Sequence, residues 1–237
     1  MGCSCKLSRT NRVTELPSGL EPRFLEGLTP NTVRAIVGAA KHLSFRAGEQ
    51  IIEEGEPSKR LVMLTSGRGR HFVLTSQGRK ILLHWMTTGQ VVGGVTLLEA
   101  PTRYLASVEV LDDCCALVWE RSVIRAWAKR CPRLIENMFT IAVVEHIAWL
   151  VSMHVSLVAD DARGRVAHLL MSLAVAIGKP NASGYIEVQI TNADIAGGAN
   201  VRHWTVGRVL AEWEKAGTIR KRRGAIALLK MMNLGSR

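Results

Sequence analysis

Apolar positions are spaced in two ways along this chain. From Phe45 to Trp119, short runs such as Leu61-Val62-Met63-Leu64 and Lys80-Ile81-Leu82-Leu83-His84-Trp85 are separated by turns carrying Gly48, Gly55, Gly67, Gly78, Gly89 and Gly93. Apolar runs of this length, bounded by turn residues, predict the strands of an antiparallel roll. From about residue 123 to 159 the spacing changes to steps of three and four. Ile141, Val144, Ala148, Val151, Val155 and Val158 make one seam on that helix, and Val143, Ile147, Leu150 and Leu157 make a second stripe beside it. A helix so patterned can pack on a twin copy and on its own roll together, although the core helix of a monomer carries the same amphipathicity.

Beyond this helix, Asp160-Asp161 are placed to cap a helix over residues 162–177, which Gly178-Lys179-Pro180 ends. A turn at Asn181-Ala182-Ser183-Gly184 and an alternating strand over 186–190 follow. Thr191-Asn192-Ala193-Asp194 has the form of a capping box and opens a short helix that Gly197-Gly198-Ala199-Asn200 breaks. A second helix spans 202–215, with Val206, Leu210 and Trp213 pointing inward and Arg202, His203, Trp204, Gly207 and Arg208 on the opposite face. After Gly217, Thr218-Ile219-Arg220-Lys221-Arg222-Arg223-Gly224-Ala225-Ile226 reads as two strands around a basic turn, a wing able to grip phosphate.

Ile190-Thr191-Asn192-Ala193-Asp194-Ile195-Ala196, followed after a turn by Thr205-Val206-Gly207-Arg208, resembles the DNA-reading motif of the CRP/FNR regulators. Phe45, Gly48-Glu49, Ile51 and Glu54-Gly55 resemble that family's entry into its β-roll, and Gly164-Arg165-Val166-Ala167 its link helix. The resemblance runs from about Leu25 to the C-terminus. It implies an α+β architecture: an antiparallel, cyclic-nucleotide-binding-like β-roll sensor domain, a long dimerisation helix and a C-terminal winged helix-turn-helix. The expected boundaries are a tail over 1–20, the roll over 21–130, the dimer helix over 131–159 and the DNA-binding domain over 160–237. The expected partners are double-stranded DNA, a second copy of the chain and RNA polymerase. Thr191, Arg202, His203, Trp204, Thr205 and Arg208 from the two helices, with Arg220, Lys221, Arg222 and Arg223 from the wing, are the DNA-binding candidates. Arg208 matches the family arginine that reads guanine, while His203 and Trp204 replace the usual Arg-Glu pair, so the base preference should differ from the family's.

The charge supports this reading. The 237 residues carry a formal charge of +11 with 47% apolar residues, which fits a globular protein with a polyanionic partner. The start Met-Gly-Cys-Ser-Cys-Lys lacks the Ser or Thr that myristoylation wants at Lys6, and no apolar leader precedes Cys3 or Cys5. Glu145, His146 and His154 interrupt the most apolar segment, which argues against a membrane span, and the expected location is cytoplasmic. No P-loop, nucleophile elbow or metal-spaced His/Glu set is present, so enzymatic activity is not expected. A pure ligand-binding module is the remaining class.

The sensed signal is less defined. Where cyclic-nucleotide-binding relatives carry Gly-Glu and Arg-Ser, this chain has Gly93-Gly94 and Arg103-Tyr104, and the base-contacting positions fall on Leu150 and Val151. Of the nucleotide ligands only Arg103 survives, so tight cAMP binding is not expected. Relatives of the FNR type hold an iron-sulfur cluster with one cysteine near the end of the roll and three in the tail. Cys114 matches the first and Cys3 and Cys5 lie in the tail, with Cys115 a further candidate. The set is incomplete for four thiolates, and buried Cys114 or Cys115 can equally be small apolar residues. His84, His146 and His154 stand in no recognised haem motif. The cofactor is therefore left open, and no metal site is assigned beyond these cysteines.

Overall fold

A computed structural model describes residues 15–78 and 80–230. The described residues fall into two compact units, one of 15–74 with 83–148 and the other of 75–78 and 80–82 with 149–230.

In the first unit a 3-10 turn, Arg23–Leu25, leads to α1 (Pro30–Gly38). Helix α1 starts where Thr29 accepts a hydrogen bond from the Thr32 amide and Pro30 occupies the first turn. Eight strands follow: β1 (Lys41–Phe45), β2 (Gln50–Ile52), β3 (Arg60–Ser66), β4 (Gly69–Leu74), β5 (Lys80–Met86), β6 (Val91–Val92), β7 (Ser107–Val110) and β8 (Cys114–Glu120). They form two sheets, ordered β1-β8-β3-β6 and β2-β7-β4-β5. The expected strands around Leu61 and Ile81 are thus β3 and β5.

Strand β3 is apolar without interruption because both of its faces are covered. Val62 and Leu64 point into the roll with Cys114, Ala116 and Val118, whereas Leu61 and Met63 point out, with Leu117 and Trp119, against the helices. Trp119 is fully buried in that outer core and donates from Nε1 to the Ile36 carbonyl at 2.7 Å, so the ring buries a large apolar area without leaving its N–H unpaired.

Helix α2 (Arg121–Arg130) stops before Cys131-Pro132, and α3 (Arg133–Thr140) starts immediately after. The helical periodicity read from residue 123 is thus divided between two helices, the second starting close to the expected dimer-helix boundary at 131, because proline disfavours helical geometry at the residue before it. A π-helical segment (Ile141–Ile147) and α4 (Ala148–Ala159) continue the rod. Leu134, Met138 and Ile141 form its roll-facing stripe. This corrects the expected seams. Ile141, assigned to a partner helix, is 6% exposed in the roll's core, while Val143, Ile147, Leu150 and Leu157, assigned to the roll, lie open. A π-turn holds more residues than an α-turn, so a count at 3.6 loses phase across Ile141–Ile147.

The second unit opens with α5 (Ala162–Ile177), capped by Asp161, whose carboxylate accepts from the Gly164 amide at 2.7 Å. Its bounds are those the sequence predicts. Strands β9 (Lys179–Pro180) and β10 (Ile186–Gln189) precede α6 (Asn192–Gly198) and α7 (His203–Lys215), and the hairpin β11 (Ile219–Arg222) and β12 (Ala225–Leu228) closes a sheet ordered β11-β12-β10-β9. Helix α6 has the expected capping box, but it runs through Gly197 and Gly198 before Ala199 caps it. The turn to α7 uses Asn200 at φ 49°, a left-handed conformation that asparagine tolerates better than most residues.

Asn137 is the buried polar tie of the first unit, donating from Nδ2 to the carbonyls of Phe24 and Glu26 at 3.0 and 2.9 Å. Asn137→Ala would leave both without this donor. Each such loss costs about 1–3 kcal/mol, so the variant should melt several degrees below wild type by circular dichroism.

Candidate nucleic-acid interface and ligand cavity

Helix α7 sets its apolar side, Val206, Val209, Leu210 and Trp213, into the second unit's core. Arg202, His203, Trp204 and Arg208 are exposed on the other side. Thr205, grouped with them by the sequence, is 7% exposed and points inward. Thr191 is engaged in the α6 capping box, accepting from the Asp194 amide and donating from its hydroxyl to the Asp194 carboxylate at 2.6 Å. Arg208 lies 6.0 Å from the Trp204 ring centroid and 3.8 Å from a carboxylate oxygen of Glu212. The other oxygen of Glu212 accepts from Arg163 of α5 at 2.7 Å. Glu212 is therefore shared between Arg163 and Arg208, a contact the sequence did not suggest.

Gly207 stands inside α7, where glycine costs about 1 kcal/mol relative to alanine. A Cβ built there meets no atom within 4 Å, so the fold does not require it. In the wing, Lys221 is bound to Glu214 twice, by its amide at 2.8 Å and its ammonium at 3.0 Å, and these bonds hold the Glu214 carboxyl below its ordinary pKa. Arg222 approaches Glu187 at 3.8 Å, while Arg220 and Arg223 are exposed at the surface. The four basic residues are thus unequal: Lys221 anchors the wing to α7, and the arginines face outward.

The first unit contains a cavity of about 540 Å³ whose lining includes Val92, Gly93, Gly94, Tyr104, Leu105, Met138, Phe139 and His146. Gly93 has φ 79°, and a Cβ there would sit 2.7 Å from the Arg60 carbonyl, so only glycine fits. A Cβ at Gly94 would lie 2.8 Å from the Met138 sulfur, so α3 occupies the space that a longer side chain at position 94 would need. Tyr104 is buried, and its hydroxyl donates to the Arg60 carbonyl at 2.8 Å and accepts from the Arg60 amide at 3.0 Å. Arg103 is not in the lining, and its guanidinium donates to the Gly55 carbonyl at 2.6 Å. Leu150 and Val151 are absent from the lining too and are exposed. Of the six ligand candidates, Gly93, Gly94 and Tyr104 line the cavity, and Arg103, Leu150 and Val151 do not.

The cysteines do not assemble a cluster site among the described residues. Cys3 and Cys5 lie outside them. Cys114 and Cys115 are buried neighbours on β8, so their side chains leave opposite faces of the strand: Cys114 enters the roll, and Cys115 lies 3.8 Å from the Ser44 hydroxyl. Two thiols on opposite faces cannot ligate one cluster, and the described part of the chain does not fit the group.

Known proteins share this arrangement. Residues 42–131 match the model of the cyclic nucleotide-binding domain, and residues 164–237 match that of the Crp-like helix-turn-helix domain. A CRP-like cAMP-activated global transcriptional regulator of Mycobacterium tuberculosis is 25% identical over 199 residues, covering 83% of this chain and 88% of that protein. An anaerobic regulatory protein of Bacillus subtilis is 26% identical over 178 residues, covering 71% of each. Among solved structures, FixK2 from Bradyrhizobium japonicum superposes with a TM-score of 0.72 at 20% identity, covering 82% of this chain and 95% of its own. The c-di-GMP responsive global regulator CLP of Xanthomonas campestris gives 0.72 at 15%, covering 84% and 99%. A cyclic-nucleotide-binding-like roll joined to a winged helix-turn-helix defines a DNA-binding transcription regulator. With its two domain matches and these relatives, the chain belongs to the CRP/FNR family of regulators.

One further group carries no signature in the linear order of residues. His71 on β4, His84 on β5 and His146 in the π-helical segment come together, with ring centroids 5.9, 5.7 and 4.8 Å apart. Burial, aided by mutual repulsion, pushes His71 down to about 3 and His84 down to about 4. His146 is also lowered by burial, opposed by the adjacent Glu145 carboxylate. Since the folded values lie below the unfolded 6.5, the unfolded chain takes up protons that the folded core refuses. Stability is complete above about pH 6.5 and falls as pH drops toward the folded values. Wild-type melting temperature should decline between about pH 7 and about pH 5, and His71→Gln should flatten that slope.

Proposed function

We propose that the protein binds palindromic operators as a homodimer, placing one α7 of each subunit in successive major grooves about 34–36 Å apart. Gly207 carries the reading: a glycine kept in a helix interior where the protein has room for a side chain serves close approach by something outside the fold. Arg208 reads a guanine edge through two donated hydrogen bonds, and His203 and Trp204 set a base preference of their own. Arg220, Arg222 and Arg223 bind phosphate without regard to sequence. In this reading the protein is cytoplasmic, has no catalytic activity and acts through RNA polymerase. An effector in the roll modulates its affinity for DNA, and the apolar cavity, with Arg103 turned toward Gly55, favours something other than a cyclic nucleotide.

The dimer surface in this proposal is the rod's open face, where Val144, Val151, Val155 and Val158 are between 56% and 76% exposed. By length and composition the helix Arg133–Ala159 is also apolar enough to cross a membrane. Two observations favour a twin helix. Glu145 lies mid-rod, paired to Arg23 at 2.9 Å, and Leu134 and Ile141 are sunk in the roll's core, which no lipid-facing helix could share.

Two measurements test these assignments. Arg208→Ala should cost about 1–3 kcal/mol at the cognate site and relax one base pair per half-site, whereas Arg223→Ala should weaken cognate and scrambled duplexes alike and flatten the salt dependence by about one counterion. Equal losses on both duplexes for Arg208→Ala would reject it as the base reader. Val151→Glu should give monomers by light scattering and weaken operator binding. A wild-type chain that is monomeric at micromolar concentration yet binds a palindrome tightly would reject the dimer.

A further inference from the structure

The three histidines come from separate elements, two neighbouring strands of one sheet and the π-helical segment, and all belong to the first unit. Three imidazoles bound to one tetrahedral ion at about 2.0–2.1 Å hold their ring centroids about 5 Å apart. The observed separations, 4.8, 5.7 and 5.9 Å, are close to that spacing. His71 Nε2 is sealed from solvent and has no hydrogen-bond partner, a condition that costs free energy unless something else takes its lone pair or proton. His71 and His146 also line the 540 Å³ cavity, so the cluster opens onto a space where a fourth ligand can stand. Single π-turns inside α-helices recur at functional sites, and here the π-turn carries one of the three rings.

From this juxtaposition we infer that His71, His84 and His146 form a binding site for a divalent transition-metal ion of the zinc class, with three imidazole ligands and a fourth position open to the cavity. Three nitrogens without thiolate or bidentate carboxylate suit zinc, cobalt or nickel, and disfavour calcium and magnesium, which take oxygen ligands. As the rings stand, no group of three His, Cys, Asp or Glu side chains among the described residues could hold a metal ion. The backbone and the first side-chain torsion together set the ring centroids. Donor direction is set by rotation about the last side-chain torsion, and a half-turn there exchanges the nitrogen and carbon edges of the ring without moving its centre. An ion would thus turn the rings without moving the strands.

The site does not depend on how DNA is read, and it is tested on the full chain. Apo protein titrated with Co²⁺ alone should bind one ion per chain with the visible bands of a tetrahedral centre and no near-ultraviolet thiolate band. Zn²⁺ should displace the cobalt and raise the melting temperature. His71→Gln, His84→Gln and His146→Gln should each lower Co²⁺ affinity about 100-fold or more and remove the Zn²⁺ stabilisation. X-ray absorption of zinc-loaded wild type needs no variant to fold, and it should show imidazole scattering and no sulfur shell. Failure to bind at micromolar Co²⁺, binding unchanged in all three variants, or a sulfur shell would overturn the site.

Discussion

A helix with apolar residues on nearly every side cannot stand alone in water, and the rod from Arg133 to Ala159 is such a helix. One face is satisfied within the chain. Leu134, Met138 and Ile141 sink into the core that Trp119, Phe24 and Ile36 build on the outer surface of the roll, with Asn137 tying the rod to the turn before α1. The remaining face leaves Val144, Val151, Val155 and Val158 open. Burying a valine or leucine stabilises by roughly 1.5–3 kcal/mol, so a symmetric pairing of two such faces gains enough to offset the entropy of association. Where the cavity lies and which apolar surface is left open both follow from how this one helix divides its side chains.

The roll has kept the family's backbone while changing what lines it. Gly93 must remain glycine because the Arg60 carbonyl presses on it, and the Tyr104 hydroxyl closes both polar groups of that same residue. Arg103, in the position that holds phosphate in nucleotide-binding relatives, spends its guanidinium on a backbone carbonyl instead. Met138 fills the space beside Gly94. The cavity is lined mainly by apolar side chains, with His71, His146, Tyr104 and Glu99 its polar ones.

Much of this was legible in the sequence because local chemistry decides it. Asp161 and Gly178 delimit α5, and Thr191 with Asp194 opens α6. The alternation of β10 and the basic turn after Gly217 mark the wing's sheet. Runs such as Leu61 to Leu64 gave strands without showing that both faces are covered. What escaped the sequence depends on contacts distant in the chain. His71, His84 and His146 share no spacing that a linear reading can detect. The π-helical segment shifted the apolar register, so Ile141 was assigned to the wrong side. Thr205 sits beside exposed Trp204 in the sequence but turns into the core. Arg103 kept its place in the motif while its guanidinium turned to the Gly55 carbonyl, a choice that no residue type announces.

Glu212 has a kinetic consequence. Its carboxylate binds Arg163 of the neighbouring helix at 2.7 Å and stands 3.8 Å from Arg208, so, if Arg208 reads DNA as proposed, part of its charge is already answered before any duplex arrives. Exposed ion pairs are worth at most about 1 kcal/mol, roughly a fivefold factor in an equilibrium. That factor falls mainly on random duplex, where Arg208 would find only phosphate and must give up a partner to gain a similar one. At a guanine edge two directed hydrogen bonds replace one loose contact, and the exchange favours staying. On the proposed reading, a built-in competitor of this strength would shorten each pause on unrelated sequence during one-dimensional search and leave residence on the operator nearly intact.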